Sequence, residues 1–136
     1  TEIRDKKVLI LDDSIVRGNT SREIVRMLKD FGAKEVYFAC ACPPVKNPCF
    51  YGVDMPTKDE LIAGNMNEDE IEKFLKVDAL LYQKIDDLVE AVTRKGNHHI
   101  DTPCMACLDG KYVANDIDDA KISEMESMRN YDRNGN

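Results

Sequence analysis

The chain turns on Val8-Leu9-Ile10-Leu11-Asp12-Asp13-Ser14-Ile15-Val16-Arg17-Gly18-Asn19-Thr20-Ser21. Four apolar residues in succession predict a strand buried on both faces, the pattern of a parallel sheet. Two adjacent carboxylates follow at its carboxyl end, then a short loop with a single glycine. Thr20 stands three residues before Glu23, the spacing of a capping box, so a helix is expected to start there. Strand, acidic pair, loop and helix in that order place backbone N–H groups and a positive helix end beside two carboxylates. The N–H groups suit a phosphate. The carboxylates repel a phosphate, yet they accept bonds from sugar hydroxyls or hold magnesium through water. A ligand with a phosphate at one end and a diol nearby satisfies both halves, and ribose 5-phosphate has that shape.

Working outward, the spacing predicts a helix over about residues 21–31, with Ile24, Val25, Leu28 and Phe31 on one stripe and Gly32 as its stop. A second apolar strand is expected from Glu35 to Ala41, which makes a right-handed parallel crossover unit. Pro43, Pro44 and Pro48 predict an irregular extended segment reaching Pro56. Thr57 with Glu60, and Asn67 with Glu70, each mark a short helix start. Asp78 to Tyr82 reads as a third strand, and Ile85, Leu88, Val89 and Val92 as a helix ending at Gly96. Residues 97–110 are expected to be loop, with a short edge strand over Lys111–Val113. The expected fold class is α/β with a parallel, Rossmann-like sheet over residues 1–113. Residues 114–136 form an acidic, polar tail, a frayed helix or disordered.

A chain of 136 residues has room for one modest domain with a core. Its formal charge of −7 argues against non-specific nucleic-acid binding, which needs a basic face. No apolar run reaches the length of a membrane span and no signal peptide is visible, so the expectation is cytoplasmic. Five cysteines without an export signal favour metal binding or plain burial over a disulfide framework. A domain that opens on a buried parallel strand lacks a neighbour for it, so the chain is expected to be cut from a larger protein.

Each candidate site has a plainer alternative. Asp12 and Asp13 could be turn or capping carboxylates, which are frequent where a strand feeds a loop. Ser14, Asn19, Thr20 and Ser21 add hydroxyl and amide groups around Gly18, which favours phosphate. Arg17 could be a solvent-exposed cation or pair with a nearby carboxylate. Cys104 and Cys107 have a metal-type spacing, with a redox dithiol as rival; that motif, however, belongs at a helix start rather than in a loop. Cys49 could be a buried core residue, and Cys40 and Cys42 share one side-chain direction as small core residues. His98 and His99 are expected to be exposed, since adjacent histidines rarely both face one ion.

The loop stretch resembles the phosphoribosyl pyrophosphate signature of the type I phosphoribosyltransferases. The wording Asp12-Asp13-Ser14-Ile15-Val16-Arg17-Gly18, followed by Thr20, is similar to the glutamine phosphoribosylpyrophosphate amidotransferase family in particular. The resemblance continues through Pro48-Cys49-Phe50-Tyr51-Gly52-Val53-Asp54, Glu60-Leu61-Ile62-Ala63 and Cys104-Met105-Ala106-Cys107-Leu108-Asp109-Gly110-Lys111-Tyr112. It implies the carboxyl-terminal part of a type I phosphoribosyltransferase domain. Asp12 and Asp13 would hold the ribose hydroxyls, directly or through Mg2+. Ile15, Val16, Arg17, Gly18, Asn19 and Thr20 would wrap the 5-phosphate with their N–H groups, beside Ser14.

The family's activity would be synthesis of phosphoribosylamine from phosphoribosyl pyrophosphate and glutamine, the opening step of purine synthesis. The resemblance further implies a [4Fe–4S] subclass with ligands at Cys49, Cys104 and Cys107 and a fourth ligand upstream, outside this chain. It implies a glutaminase domain that is also absent here. With Thr1 in first place there is no catalytic nucleophile, so this chain is expected to turn over nothing. Implied partners are phosphoribosyl pyrophosphate, purine nucleotides and further copies in a homo-oligomer, with no nucleic acid and no membrane. Two rivals stay open: a regulatory module that binds purine nucleotides without catalysis, and a metal-stabilised structural domain.

Overall fold

The protein is described by a computed structural model covering residues 2–52, 56–94, 100–114 and 117–133. Strand β1 (Lys7–Asp12), helix α1 (Asn19–Asp30) and strand β2 (Glu35–Cys40) form the first strand–helix–strand unit. A 3-10 turn (Lys58–Glu60), α2 (Ile62–Asn65) and α3 (Glu68–Leu75) then lead to β3 (Ala79–Tyr82). The three strands lie in the order β1-β2-β3, and both pairings are parallel. Leu9 stands opposite Tyr37, and Ala39 opposite Leu81. The parallel α/β class follows directly, because each strand returns through helix rather than by a hairpin.

The core lies on one face of the sheet. Val36, Phe38 and Cys40 of β2 are buried with Val25 of α1 and with Ile71 and Leu75 of α3. Burial of both faces of β1 is corrected. Leu9 is 64% and Leu11 75% exposed, and on β3 Leu81 is 55% exposed. Strand β1 is an edge strand, and alternate side chains of a strand point to opposite faces. Helices α1 and α3 meet the Val8–Ile10 side, which leaves the Leu9–Leu11 side open among the described residues.

Helix α1 starts before the expected capping box. Its N-cap is Gly18, in the left-handed conformation at φ 76°, with no side-chain cap. Thr20 is thus already inside the first turn, and Glu23 pairs with Arg26 at 2.7 Å instead. The buried stripe runs through Ser21, Val25 and the half-buried Leu28; Phe31 lies past the helix end and is 51% exposed. Gly32, at φ 89°, makes the expected stop. The other two capping boxes form: Glu60 closes on Thr57, and Glu70 on Asn67, whose side chain accepts the Glu70 N–H at 3.0 Å.

Helix α4 (Ile85–Thr93) puts Ile85 and Leu88 against a second small core of Val45, Leu61 and Leu108. Its expected end at Gly96 lies outside the described residues. Part of the expected 97–110 loop is a helical turn, α5 (Ala106–Asp109), closed by Gly110 at φ 77°. The Cys107 carbonyl accepts both the Lys46 and the Asn47 N–H, at 2.9 and 3.0 Å. Lys111–Val113 forms no strand. Tyr112 instead donates its hydroxyl to the Pro48 carbonyl at 2.8 Å and packs at a tilt against Phe50, with ring centres 5.3 Å apart. Beyond it, α6 (Asp119–Arg133) is a helix whose Glu126 accepts the Lys58 N–H at 2.7 Å. Among the described residues no helix is long and apolar enough to cross a membrane.

Candidate functional site

The loop from Asp13 to Gly18 leaves the carboxyl end of β1, the edge at which parallel α/β sheets hold ligands. Asp12 is half-buried, and its Oδ1 accepts the Asp13 N–H at 3.0 Å. Asp13 is exposed, and its Oδ1 accepts the Ser14 hydroxyl at 3.1 Å. The Asp13 carbonyl also receives the Cys40 thiol at 3.6 Å, which ties the loop to the end of β2.

Below the loop, Ile15 is 1% exposed and its side chain anchors the loop in the core. The Val16 carbonyl accepts the Ile62 N–H at 2.9 Å. Arg17 turns sideways and grips Glu60: Nε to Oε1 is 3.0 Å and Nη2 to Oε1 is 2.9 Å. The salt-bridge alternative for Arg17 is the one that forms. Gly18 is held from beneath, because a Cβ there would meet Ile62 Cδ1 at 2.7 Å and Phe74 Cε1 at 3.2 Å.

A cleft of about 440 Å³ opens above this loop. Asp12, Ser14 and residues Val16 to Ser21 line it. Neither Asp13 nor Ile15 lines it. The first N–H groups of a helix have no acceptor within it. Here the N-cap is a glycine without a capping side chain, and the first turn carries no acidic residue. The N–H groups of Asn19, Thr20 and Ser21 therefore present partial positive charge toward the cleft, which favours an anion. The Asp12 carboxylate in the same cleft favours hydroxyl donors or a hard cation. Asp12 and Asp13 are the right donors for Mg2+, which takes one or two carboxylates, waters and substrate phosphate.

Two supports of this site were not legible as such. Glu60 reads as a cap from its spacing to Thr57, and that role is real: Oε2 accepts the Thr57 N–H at 3.1 Å and the Thr57 hydroxyl at 3.2 Å. Its other oxygen, on Arg17, bridges 43 residues of sequence, and no local pattern signals it. The Ile62 N–H is a backbone donor and leaves no trace in the side-chain pattern. Ser21, whose hydroxyl the sequence places near Gly18, is buried in the first turn of α1 and lines the cleft.

The cysteines gather elsewhere. Burial raises the Cys107 thiol, with Cys49 and then Cys104 adding to the effect, so these three are electrostatic neighbours. Burial pushes Cys42 up to about 11, with Cys40 and Cys107 contributing. Cys40 lies in the core, whereas Cys42 stands in the bend after β2 and touches both cores, so the pair is not on one strand. Cys49 accepts the Tyr51 N–H at 3.4 Å and is half-buried; Cys104 is exposed. Thiolates are the right donors for an iron–sulfur cluster. Among the described residues no three His, Cys, Asp or Glu side chains are grouped around the position of a single metal ion. His98 and His99 lie outside the described residues.

A parallel α/β sheet with an uncapped helix start and paired carboxylates at its carboxyl edge defines a class, and residues 1–60 match the family model of the phosphoribosyl transferase domain. The fold is that of the phosphoribosyltransferases. More particularly, the chain is similar to amidophosphoribosyltransferases. It is 43% identical to that of Methanothermobacter thermautotrophicus over 98% of this chain and 27% of the relative. It is 43% identical to that of Escherichia coli over 96% of this chain and 26% of the relative. Among solved structures it superposes on the glutamine phosphoribosylpyrophosphate amidotransferase from B. subtilis complexed with ADP and GMP, with a TM-score of 0.76 and 40% identity. That match covers 86% of this chain and 26% of the other. The chain spans about a quarter of the length of the curated relatives it matches.

Proposed function

We propose that this chain is the phosphoribosyl pyrophosphate-binding portion of an amidophosphoribosyltransferase, which makes 5-phosphoribosylamine from phosphoribosyl pyrophosphate and glutamine at the start of purine synthesis. The observation that carries the reading is the Gly18 N-cap. It leaves three helix N–H groups without a side-chain cap in the cleft that Asp12 also lines. The 5-phosphate takes the N–H groups of the loop and of Asn19 and Thr20, and the ribose diol takes Asp12 and Asp13. Magnesium, held by Asp12 and Asp13, would neutralise charge on the leaving pyrophosphate.

In this reaction the C1–O bond to pyrophosphate breaks and a C1–N bond to ammonia forms, through an oxocarbenium-like state. The residues here bind and orient the ribose for that displacement, and positioning is a large part of such catalysis. The nucleophile in this reaction is ammonia, and no residue of the cleft needs to act as one. In the intact protein ammonia would come from a glutaminase part, while the residues here would supply the ribose-binding half of the reaction. The intact protein would reside in the cytoplasm as a homo-oligomer. Five cysteines free of disulfides fit a reducing compartment.

The iron–sulfur assignment is part of the same reading for the intact protein. Cys49, Cys104 and Cys107 would contribute three ligands and a residue outside this chain the fourth. Anaerobic reconstitution of the full-length protein with iron and sulfide tests it, through visible absorption that Cys104→Ser abolishes.

A second reading is favoured by one observation: the B. subtilis relative is described as complexed with ADP and GMP. A purine monophosphate carries the same phosphate and diol, so the cleft would serve as a regulatory nucleotide site. The test is an amide-shift titration of the full chain with ribose 5-phosphate and magnesium, with GMP in parallel. Saturable shifts over residues 12–21 that vanish in Asp12→Asn, Asp13→Asn support the proposal. A response to GMP alone favours the regulatory reading, and no response from a folded sample removes both.

A further inference from the structure

The loop that forms the cleft is short, exposed at Arg17, and carries its charge on a long flexible side chain. A guanidinium in that position would reach an anion in the cleft directly if nothing restrained it. Something does. Glu60 divides its carboxylate between two tasks, with Oε1 on Arg17 and Oε2 on the N–H and hydroxyl of Thr57. The Thr57 side fastens Glu60 to the 3-10 turn, and the Arg17 side fastens the loop to Glu60. Two residues on, the Ile62 N–H holds the Val16 carbonyl. Successive loop residues are thus pinned to one rigid segment, one by a charge pair and one by a backbone bond.

We infer that Glu60 is a positioning residue for the anion cleft. By holding Arg17 against the 57–62 segment it sets the loop backbone so that its N–H groups, rather than the guanidinium, meet the phosphate. This rests on the reading of the cleft as a phosphoribose site, but it makes a separate claim about the loop without ligand. The expected sign is opposite to simple electrostatics. A carboxylate near an anion site opposes anion binding, so its neutralisation alone would tighten the complex. Removal of a positioning contact loosens it.

The variant that separates the roles is Glu60→Gln. Glutamine serves as well as glutamate at the third position of a capping box, so the Thr57 cap survives while the ion pair is lost. In the full chain, ribose 5-phosphate with magnesium is expected to bind roughly two- to five-fold more weakly, the size an exposed pair supports. Thermal stability stays near that of the parent. The Arg17 Nε–H resonance moves to its solvent position, and the amides of residues 15–19 shift while those of 58–61 do not. In an Arg17→Ala background the same change has no further effect.

Tighter or unchanged binding overturns the inference, as does a full additional loss in the Arg17→Ala background. An unfolded Glu60→Gln chain overturns it too, because the cap alone would then account for the residue. If the parent chain binds no ribose 5-phosphate, the functional reading fails. The ligand-free resonances of Arg17 and residues 15–19 then decide the positioning role by themselves.

Discussion

A Cβ on Gly18 would stand 2.7 Å from Ile62 Cδ1, so the N-cap of α1 rests directly on the start of α2. The helix end that faces the cleft is thereby supported from below by the same segment that grips Arg17 and Val16. Gly18 answers two demands at once: a φ of 76° and a floor with no room for a side chain.

Gly18→Ala is therefore expected to cost about 1–3 kcal/mol, from the left-handed backbone plus overpacking. Thermal denaturation measures it. Adding Ile62→Val removes the Cδ1 in the way and recovers only part of the loss, since the backbone term remains. Full recovery would mean the φ restriction is unimportant.

Asn67→Ala should lower stability by about 1 kcal/mol, the usual worth of an N-cap. Its oxygen accepts the Glu70 N–H at 3.0 Å and starts the helix that carries Ile71 and Leu75 into the core. A chemical denaturation midpoint that does not move would show that packing alone holds α3.

The two faces of the sheet are expected to respond unequally. Phe38 is fully buried, and Phe38→Ala should cost about 3–5 kcal/mol. Leu11→Ala, on the open face, should stay within about 0.5 kcal/mol. Equal losses in urea titrations would place a cover over Leu11.

Alkaline pH should destabilise the fold. Burial raises Cys42 from 9.0 to about 11, and it raises Tyr112 from 10.0 to about 12. A group whose folded pKa lies above its unfolded value stabilises fully below the unfolded pKa, and that stability is lost as pH rises through the folded one. Loss is expected to set in near pH 9 and grow past pH 11. Under native conditions the exposed Cys104 should be alkylated first, and the buried Cys40 should react only on unfolding. Mass spectrometry of a timed alkylation at neutral pH reads the order.

The strands, the helices and the loop that joins β1 to α1 were legible because their signals are local. Apolar runs mark strands, and a cap three residues ahead of a glutamate marks a helix start. The errors have long-range causes. Thr20 and Glu23 satisfy the capping-box spacing, but Gly18 starts the helix earlier because the chain must turn over Ile62. Tyr112 and its neighbours look like a strand until the Tyr112 hydroxyl finds Pro48.

By itself, the sequence determined the parallel α/β order and placed two carboxylates and a helix start at one strand end, since periodicity and adjacency are properties of the chain alone. Only the tertiary structure decided which face of β1 is covered, that Arg17 belongs to Glu60, and that Ile62 and Phe74 form the floor beneath Gly18. The Arg17 and Gly18 relations join residues more than forty positions apart, and packing in three dimensions, rather than spacing along the chain, brings all of these groups into contact.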